Sequence, residues 1–144
     1  MFSQTAEYAL RAIVWLSHQP DRPLTGLQLA RATQVPAGYL LKVMQSLARA
    51  GLVDAQRGRN GGFTLLSPPD QITVLDVINA VDPVRRIRAC PLGLKGHERL
   101  CPLHRRLDDA IEHVERAFAE TRISDLLQDG AVKPLCELVE LTHA

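Results

Sequence analysis

VPAGYLLKVMQSLARAGLVDAQRGRNGGFTLL, residues 35–66, holds a helix, a stop and a hairpin in immediate succession. Pro36 suits the first turn of a helix, where its missing N–H would have no partner and its fixed φ is already helical. Leu40, Val43, Met44 and Leu47 then recur at helical spacing and form one apolar face. Gly38, Lys42, Gln45, Ser46 and Arg49 occupy the other face. Ala50-Gly51 ends the helix, because glycine accepts the left-handed C-terminal position. Two β-like runs follow, Leu52 to Gln56 and Phe63 to Leu66. They are joined by Arg57-Gly58-Arg59-Asn60-Gly61-Gly62, a glycine-rich tip with two arginines and no acid.

Upstream, Ala6, Ala9, Leu10, Ile13 and Val14 in AEYALRAIVWLSH make the apolar stripe of a first helix. Gln19 to Pro23 breaks it. A second helix is expected from Thr25, with Gln28 three residues on completing a capping box and the apolar face centred on Leu27 and Ala30. Thr33-Gln34-Val35-Pro36 is a tight connection to the third helix. Three helices followed by a hairpin is the order of a winged helix-turn-helix, a mainly α fold with a small β wing.

Downstream, a fourth helix begins at Thr73, with Ile72 and Val77 as a hydrophobic staple and Val74, Val77, Ile78 and Val81 facing inward. Asp82-Pro83 stops it. No sustained period runs from Pro83 to Pro102, a basic stretch (Arg85, Arg86, Arg88, Lys95, Arg99) that contains Cys90 and Cys101. A long C-terminal helix then carries Leu103, Leu107, Ala110, Ile111, Val114, Ala117 and Phe118 as one seam. That stripe is too long to be covered by the short helices of a single chain. Ser124 is expected to cap a short helix reaching Leu127, and the tail from Gly130 is weakly amphipathic around Leu135, Leu138 and Leu141. The expected divisions are 1–82, 83–102, 103–128 and 129–144.

The 144 residues suffice for one compact domain with an extra arm. With 46% hydrophobic and 4% aromatic residues the core must be mainly aliphatic. The net charge of +1 means that any basic surface is local. No apolar run approaches the roughly 20 residues that span a bilayer. The opening MFSQTAEYAL lacks the basic start of a secretory signal, so a cytoplasmic protein is expected. Three cysteines, an odd number, point to metal binding, redox chemistry or simple burial rather than a disulfide framework. There is no cofactor fingerprint, P-loop or nucleophile–base constellation, and no enzymatic activity is expected.

The helix from Pro36 to Ala50 has what a major-groove reader needs, an apolar back and a small or polar front. Tyr39, Lys42, Gln45, Ser46 and Arg49 can donate to phosphates or base edges, and Thr25 is placed with them as a candidate contact. An arginine on a thin glycine turn can enter a narrow minor groove, which suits Arg57 and Arg59. The rival reading is a winged helix that binds protein. The order of elements, the tight turn and the arginine-tipped wing together favour DNA.

These residues resemble the winged-helix core of the bacterial iron–sulfur repressors of the IscR and NsrR type, the Rrf2 family. The resemblance is carried by Tyr39-Leu40 through Gly51-Leu52-Val53, by Arg57-Gly58 with Gly61-Gly62-Phe63, by Leu75-Asp76-Val77 and by the opening Thr5 to Ala12. It extends over roughly residues 1–128. It implies a homodimeric repressor that reads an inverted-repeat operator in double-stranded DNA, with residues 1–82 as the DNA-binding domain. It further implies that 83–102 is a sensor loop and that 103–128 supplies a dimerisation helix crossing between subunits. Arg57 sits where the family places its minor-groove arginine.

The resemblance also implies an iron–sulfur cluster in the loop, which many members hold with three closely spaced cysteines. Here only Cys90 and Cys101 are present, ten residues lie between them, and the family's middle cysteine is missing. Cys136 lies far along the tail. A 2Fe–2S cluster needs four ligands, and imidazole can stand in for thiolate. His104 matches a histidine ligand of part of the family, and Glu7 sits where some relatives supply a carboxylate from the other subunit. The implied ligands are Cys90, Cys101, His104 and Glu7, with His97 as the alternative histidine. Two other uses stay open: a redox-sensing Cys90–Cys101 disulfide switch, or zinc with the histidines; the pair without metal is the plain case.

Overall fold

The computed structural model describes residues 2–93, 95–96 and 99–127. The expected tail, Cys136 and His97 lie outside the described residues. Among the described residues there are six α-helices: α1 Gln4–His18, α2 Gly26–Thr33, α3 Ala37–Arg49, α4 Val74–Val81, α5 Pro102–Glu120 and α6 Ile123–Leu127. The antiparallel strands β1 Val53–Gln56 and β2 Gly62–Leu65 form the wing, pairing Val53 with Leu65 and Gln56 with Gly62. A single 3-10 turn, Pro69–Gln71, leads into α4.

Helix α1 is the axis of the core. Ala9, Ala12 and Ile13 have no exposed surface and pack with Leu29 of α2, Leu40, Val43, Met44 and Leu47 of α3, and Val77 of α4. Fully burying each large aliphatic side chain contributes about 1.5–3 kcal/mol, so this cluster is the main source of stability. Thr25 caps α2 as expected, accepting from the Gln28 amide at 3.2 Å while Gln28 Oε1 accepts from the Thr25 amide at 3.0 Å. Thr73 and Asp76 repeat the arrangement at α4. The apolar face of α2 differs from expectation: Leu27 is exposed, and Leu29 is the buried leucine beside Ala30. An eight-residue helix with leucines two apart has no periodicity strong enough to choose between them.

The α2–α3 connection turns on Gln34, whose φ of 56° is left-handed without glycine. Its amide donates back to the carbonyls of Ala30 and Arg31. Gly51 ends α3 at φ 78°, as its position predicts. The wing is stitched to the core at Leu24, which exchanges backbone bonds with Phe63 at 3.1 and 2.7 Å. A third, one-residue strand therefore braces the hairpin.

Helix α5 has no buried residue, although its exposed Leu103 and Leu107 and half-buried Ile111, Val114 and Phe118 form the expected seam. Its far end returns to the core through α6. Val74 donates to Thr121 O and Ile123 to Ile72 O, both at 2.9 Å, and Ile123 is completely buried. Ser124 lies inside α6 rather than before it. The side chain at the helix start belongs to Asp125, which accepts from the Arg122 amide at 2.8 Å.

Candidate nucleic-acid interface and metal centre

The packing of α3 settles which of its faces is outward. With Leu40, Val43, Met44 and Leu47 in the core, Tyr39, Lys42, Gln45 and Arg49 are exposed. Ser46 is half-buried, and its hydroxyl donates to Lys42 O at 3.2 Å. Thr25 is exposed, but its hydroxyl is already engaged in the capping box. Arg57 and Arg59 stand exposed on the wing tip, where Gly58 takes φ 109°. Among the described residues, Lys42, Arg49, Arg57 and Arg59 form no ion pair. These four cations, unpaired among the described residues, lie on one helix face and one hairpin and are available to phosphate.

The surroundings of Tyr39 were not legible in the sequence. Its hydroxyl lies 2.8 Å from Thr5 Oγ1, and its ring meets Tyr8 edge-on, with centroids 5.5 Å apart. Arg11 covers the Tyr8 ring and donates to Thr33 O at 3.1 Å, at the C-terminal end of α2. The Glu7 carboxylate accepts from Arg11 Nε at 2.6 Å. Within one chain Glu7 is therefore engaged by Arg11 and is not gathered with the cysteines.

Cys90, Cys101 and His104 are brought together. One ligand atom from each lies within 4.8 Å of the other two. His104 Nδ1 is 3.0 Å from Cys101 Sγ and 3.8 Å from Cys90 Sγ. Cys101 and His104 owe this to helix geometry: Cys101 is the residue before the first turn of α5, Pro102 opens the helix, and His104 lies three residues on. Cys90 arrives from the preceding segment and is buried. Two thiols and an imidazole this close together are a donor set that suits iron–sulfur or zinc chemistry, in which a fourth ligand would complete the coordination.

The segment carrying Cys90 is held to α5 by a cluster that sequence reasoning missed. Arg86 donates through Nε and Nη2 to the two oxygens of Asp108 at 2.8 and 2.7 Å, and the Ile87 amide donates to Asp108 Oδ1 at 2.8 Å. Glu112 and Glu115 reach the same guanidinium at 3.3 and 3.5 Å. The Arg86 hydrogen bond, helped by the Ile87 amide, holds the Asp108 carboxyl down at about 2. Asp108 in turn raises Arg86 above its ordinary value. The acids at positions 108, 112 and 115 share one face of a helix, and that spacing was the available signal.

The sequence profile of the Rrf2 family, described as an iron-dependent transcriptional regulator, matches residues 2–129. An HTH-type transcriptional regulator of Aquifex aeolicus is 30% identical over 131 residues, spanning 88% of this chain and 91% of its own. Among solved structures, CymR of B. subtilis, described as its global cysteine regulator, superposes with a TM-score of 0.73 at 26% identity. That match covers 88% of this chain and 95% of CymR. The IscR of T. potens shares the fold with a TM-score of 0.74 at 21% identity, over 90% and 87% of the two chains.

Proposed function

The chain belongs to the Rrf2 family of transcriptional regulators, and from that membership we propose that it is a homodimeric, operator-binding repressor governed by its Cys90–Cys101–His104 centre. The observation that carries the regulatory part is the convergence of two thiols and an imidazole at the start of α5. The winged helix supplies the DNA contacts. Lys42, Gln45 and Arg49, with Tyr39 and Ser46 beside them, face the major groove, while Arg57 and Arg59 enter the flanking minor groove. Thr25 lies at the phosphate backbone. A cytoplasmic location, beside the DNA it reads, goes with this reading; among the described residues no helix is long and apolar enough to cross a membrane.

A second copy supplies what α5 lacks. An apolar groove of about 470 Å³ runs beside α5, lined by Ile78, Val84, Ile87, Leu107, Ile111 and Val114. The α5 seam of a partner fits this chemistry, and two recognition helices related by a two-fold axis match the half-sites of an inverted repeat.

The centre is read as the site of a 2Fe–2S cluster held by Cys90, Cys101 and His104, with Glu7 of the partner subunit as the fourth ligand. When bound, such a cluster supplies a redox-active, oxidant-labile link between the loop and α5. The residues themselves do the coupling. Donors that converge favour one placement of segment 86–90 against α5, donors that separate favour another, and operator affinity follows the differential stability of the two placements.

The 3.0 Å approach of His104 to Cys101 favours a second reading, a thiol switch without metal. The imidazole is placed to take the Cys101 proton, and a peroxide would oxidise the two thiols to a Cys90–Cys101 disulfide while being reduced to an alcohol and water. Anaerobic purification followed by visible spectroscopy and iron, sulfide and zinc analysis tests the two. Colour with about two iron and two sulfide per chain supports the cluster. Colourless, metal-free protein with a reversible disulfide supports the switch, and zinc alone refutes both.

A further inference from the structure

We infer that Asp108 is the positioning residue of the Cys90–Cys101–His104 centre, holding the segment that carries Cys90 against the helix that carries His104. The inference rests on reading that centre as a metal or thiol site. Cys101 and His104 occupy the start of the same helix, so α5 alone fixes their separation. Cys90 has no such support, since among the described residues 83–101 contain neither helix nor strand.

Segment 86–90 runs antiparallel to α5, with two points of approach. Ile87 and Arg86 meet Asp108, and Cys90 meets His104 one helical turn away. His104 and Asp108 are four residues apart and therefore share a helix face. Asp108 takes a forked guanidinium and a backbone amide together, which fixes both the side chain and the course of the main chain. Upstream, the Val84 amide donates to Asn79 Oδ1 at 3.0 Å and ties the start of the segment to α4. The approach of Cys90 to α5 is thus set at Asp108. Glu112 and Glu115 touch Arg86 at longer range and do not bond the Ile87 amide.

The test titrates Co²⁺ into the reduced, metal-free, full-length chain and follows thiolate-to-metal charge-transfer absorption. Asp108→Asn should weaken Co²⁺ binding about 10- to 100-fold, the usual effect of losing a group that orients a ligand. Arg86→Lys, which keeps the charge without the fork, should fall between Asp108→Asn and wild type. Asp109→Asn removes the same charge from an exposed neighbour and should change nothing. A second readout uses metal-free Cys101→Ser/Cys136→Ser protein, where Cys90 is the remaining thiol. Adding Asp108→Asn should accelerate its chemical modification by more than the accompanying fall in the unfolding midpoint, reported by buried Trp15, accounts for. Wild-type behaviour of Asp108→Asn in both assays would overturn the inference, as would an equal loss in Asp109→Asn. Absence of thiolate absorption in the wild type refutes the metal reading instead, and the modification rate then decides the role of Asp108.

Discussion

Tyr39, on the outward face of α3, shares a hydrogen bond with Thr5 near the start of α1, oxygen to oxygen 2.8 Å. The side chain that the sequence offers to DNA is therefore also a brace between the recognition helix and the helix that organises the core. Tyr39→Phe removes the shared bond and keeps the edge-on contact with Tyr8. Its stability should fall by only about 0.5 kcal/mol, the low end for a partly exposed bond. Tyr39→Ala also forfeits the ring pair and should lose roughly 0.5–1.5 kcal/mol more. Denaturant unfolding checks both, and a Phe variant as damaged as the Ala variant contradicts the assignment.

Lys42 and Arg57 lie on different elements, and neither has an internal ion-pair partner among the described residues. If each meets phosphate or groove, replacing either with alanine should weaken operator binding. It should also reduce the slope of log affinity against log salt by about one. Fluorescence anisotropy over a range of salt concentrations measures this. Unchanged slopes in both variants would assign these cations to another partner.

Gly62 stands at φ 150°, and a Cβ there would lie 2.6 Å from Leu24 O. The backbone exchange between Leu24 and Phe63 requires that closeness. Gly62→Ala should cost about 1–3 kcal/mol and displace the wing. Operator affinity should fall even though none of the proposed DNA contacts has changed. A variant of wild-type stability would show that the hairpin tolerates the added methyl group.

Leu107 is 47% exposed on a helix with no buried residue, and it lines the apolar groove. If α5 pairs two chains as proposed, Leu107→Glu should convert the dimer to a monomer in light scattering and reduce operator affinity by about 100-fold or more, since one winged helix would grip a single half-site. A monomeric wild type would remove the basis of this expectation.

The winged helix was legible because its signals are local. The Thr25–Gln28 box, the Leu40–Leu47 face and Gly51 each act within a few residues and came out as read. Leu27 failed because a two-turn helix carries too little periodicity to choose between leucines at 27 and 29. The centre was half legible. The spacing of Cys101 and His104 is a helical turn, whereas the delivery of Cys90 depends on Arg86 meeting an acid 22 residues later. The acids at 108, 112 and 115 show as one helix face, but which cation they meet has no sequence signature until the fold brings Arg86 to them. Arg11 bonding Thr33 O is a second case, invisible as a pattern and evident as a contact.

The Arg86–Asp108 pair makes a pH prediction of definite sign. Asp108 is held at about 2, below its ordinary value of 3.8, chiefly by the Arg86 hydrogen bond. A carboxyl depressed in the folded state binds fewer protons there than in the unfolded chain. Its contribution is fully present above about pH 4 and is lost as pH falls through about 2. The stability difference between wild type and Asp108→Asn should therefore be flat from neutral pH down to about 4, then narrow on further acidification. Arg86 stays protonated throughout this window and adds no slope of its own. Unfolding midpoints of the two proteins, measured side by side across the acid range, give the curve. A difference that persists unchanged to the lowest pH would show that Asp108 acts through something other than its charge.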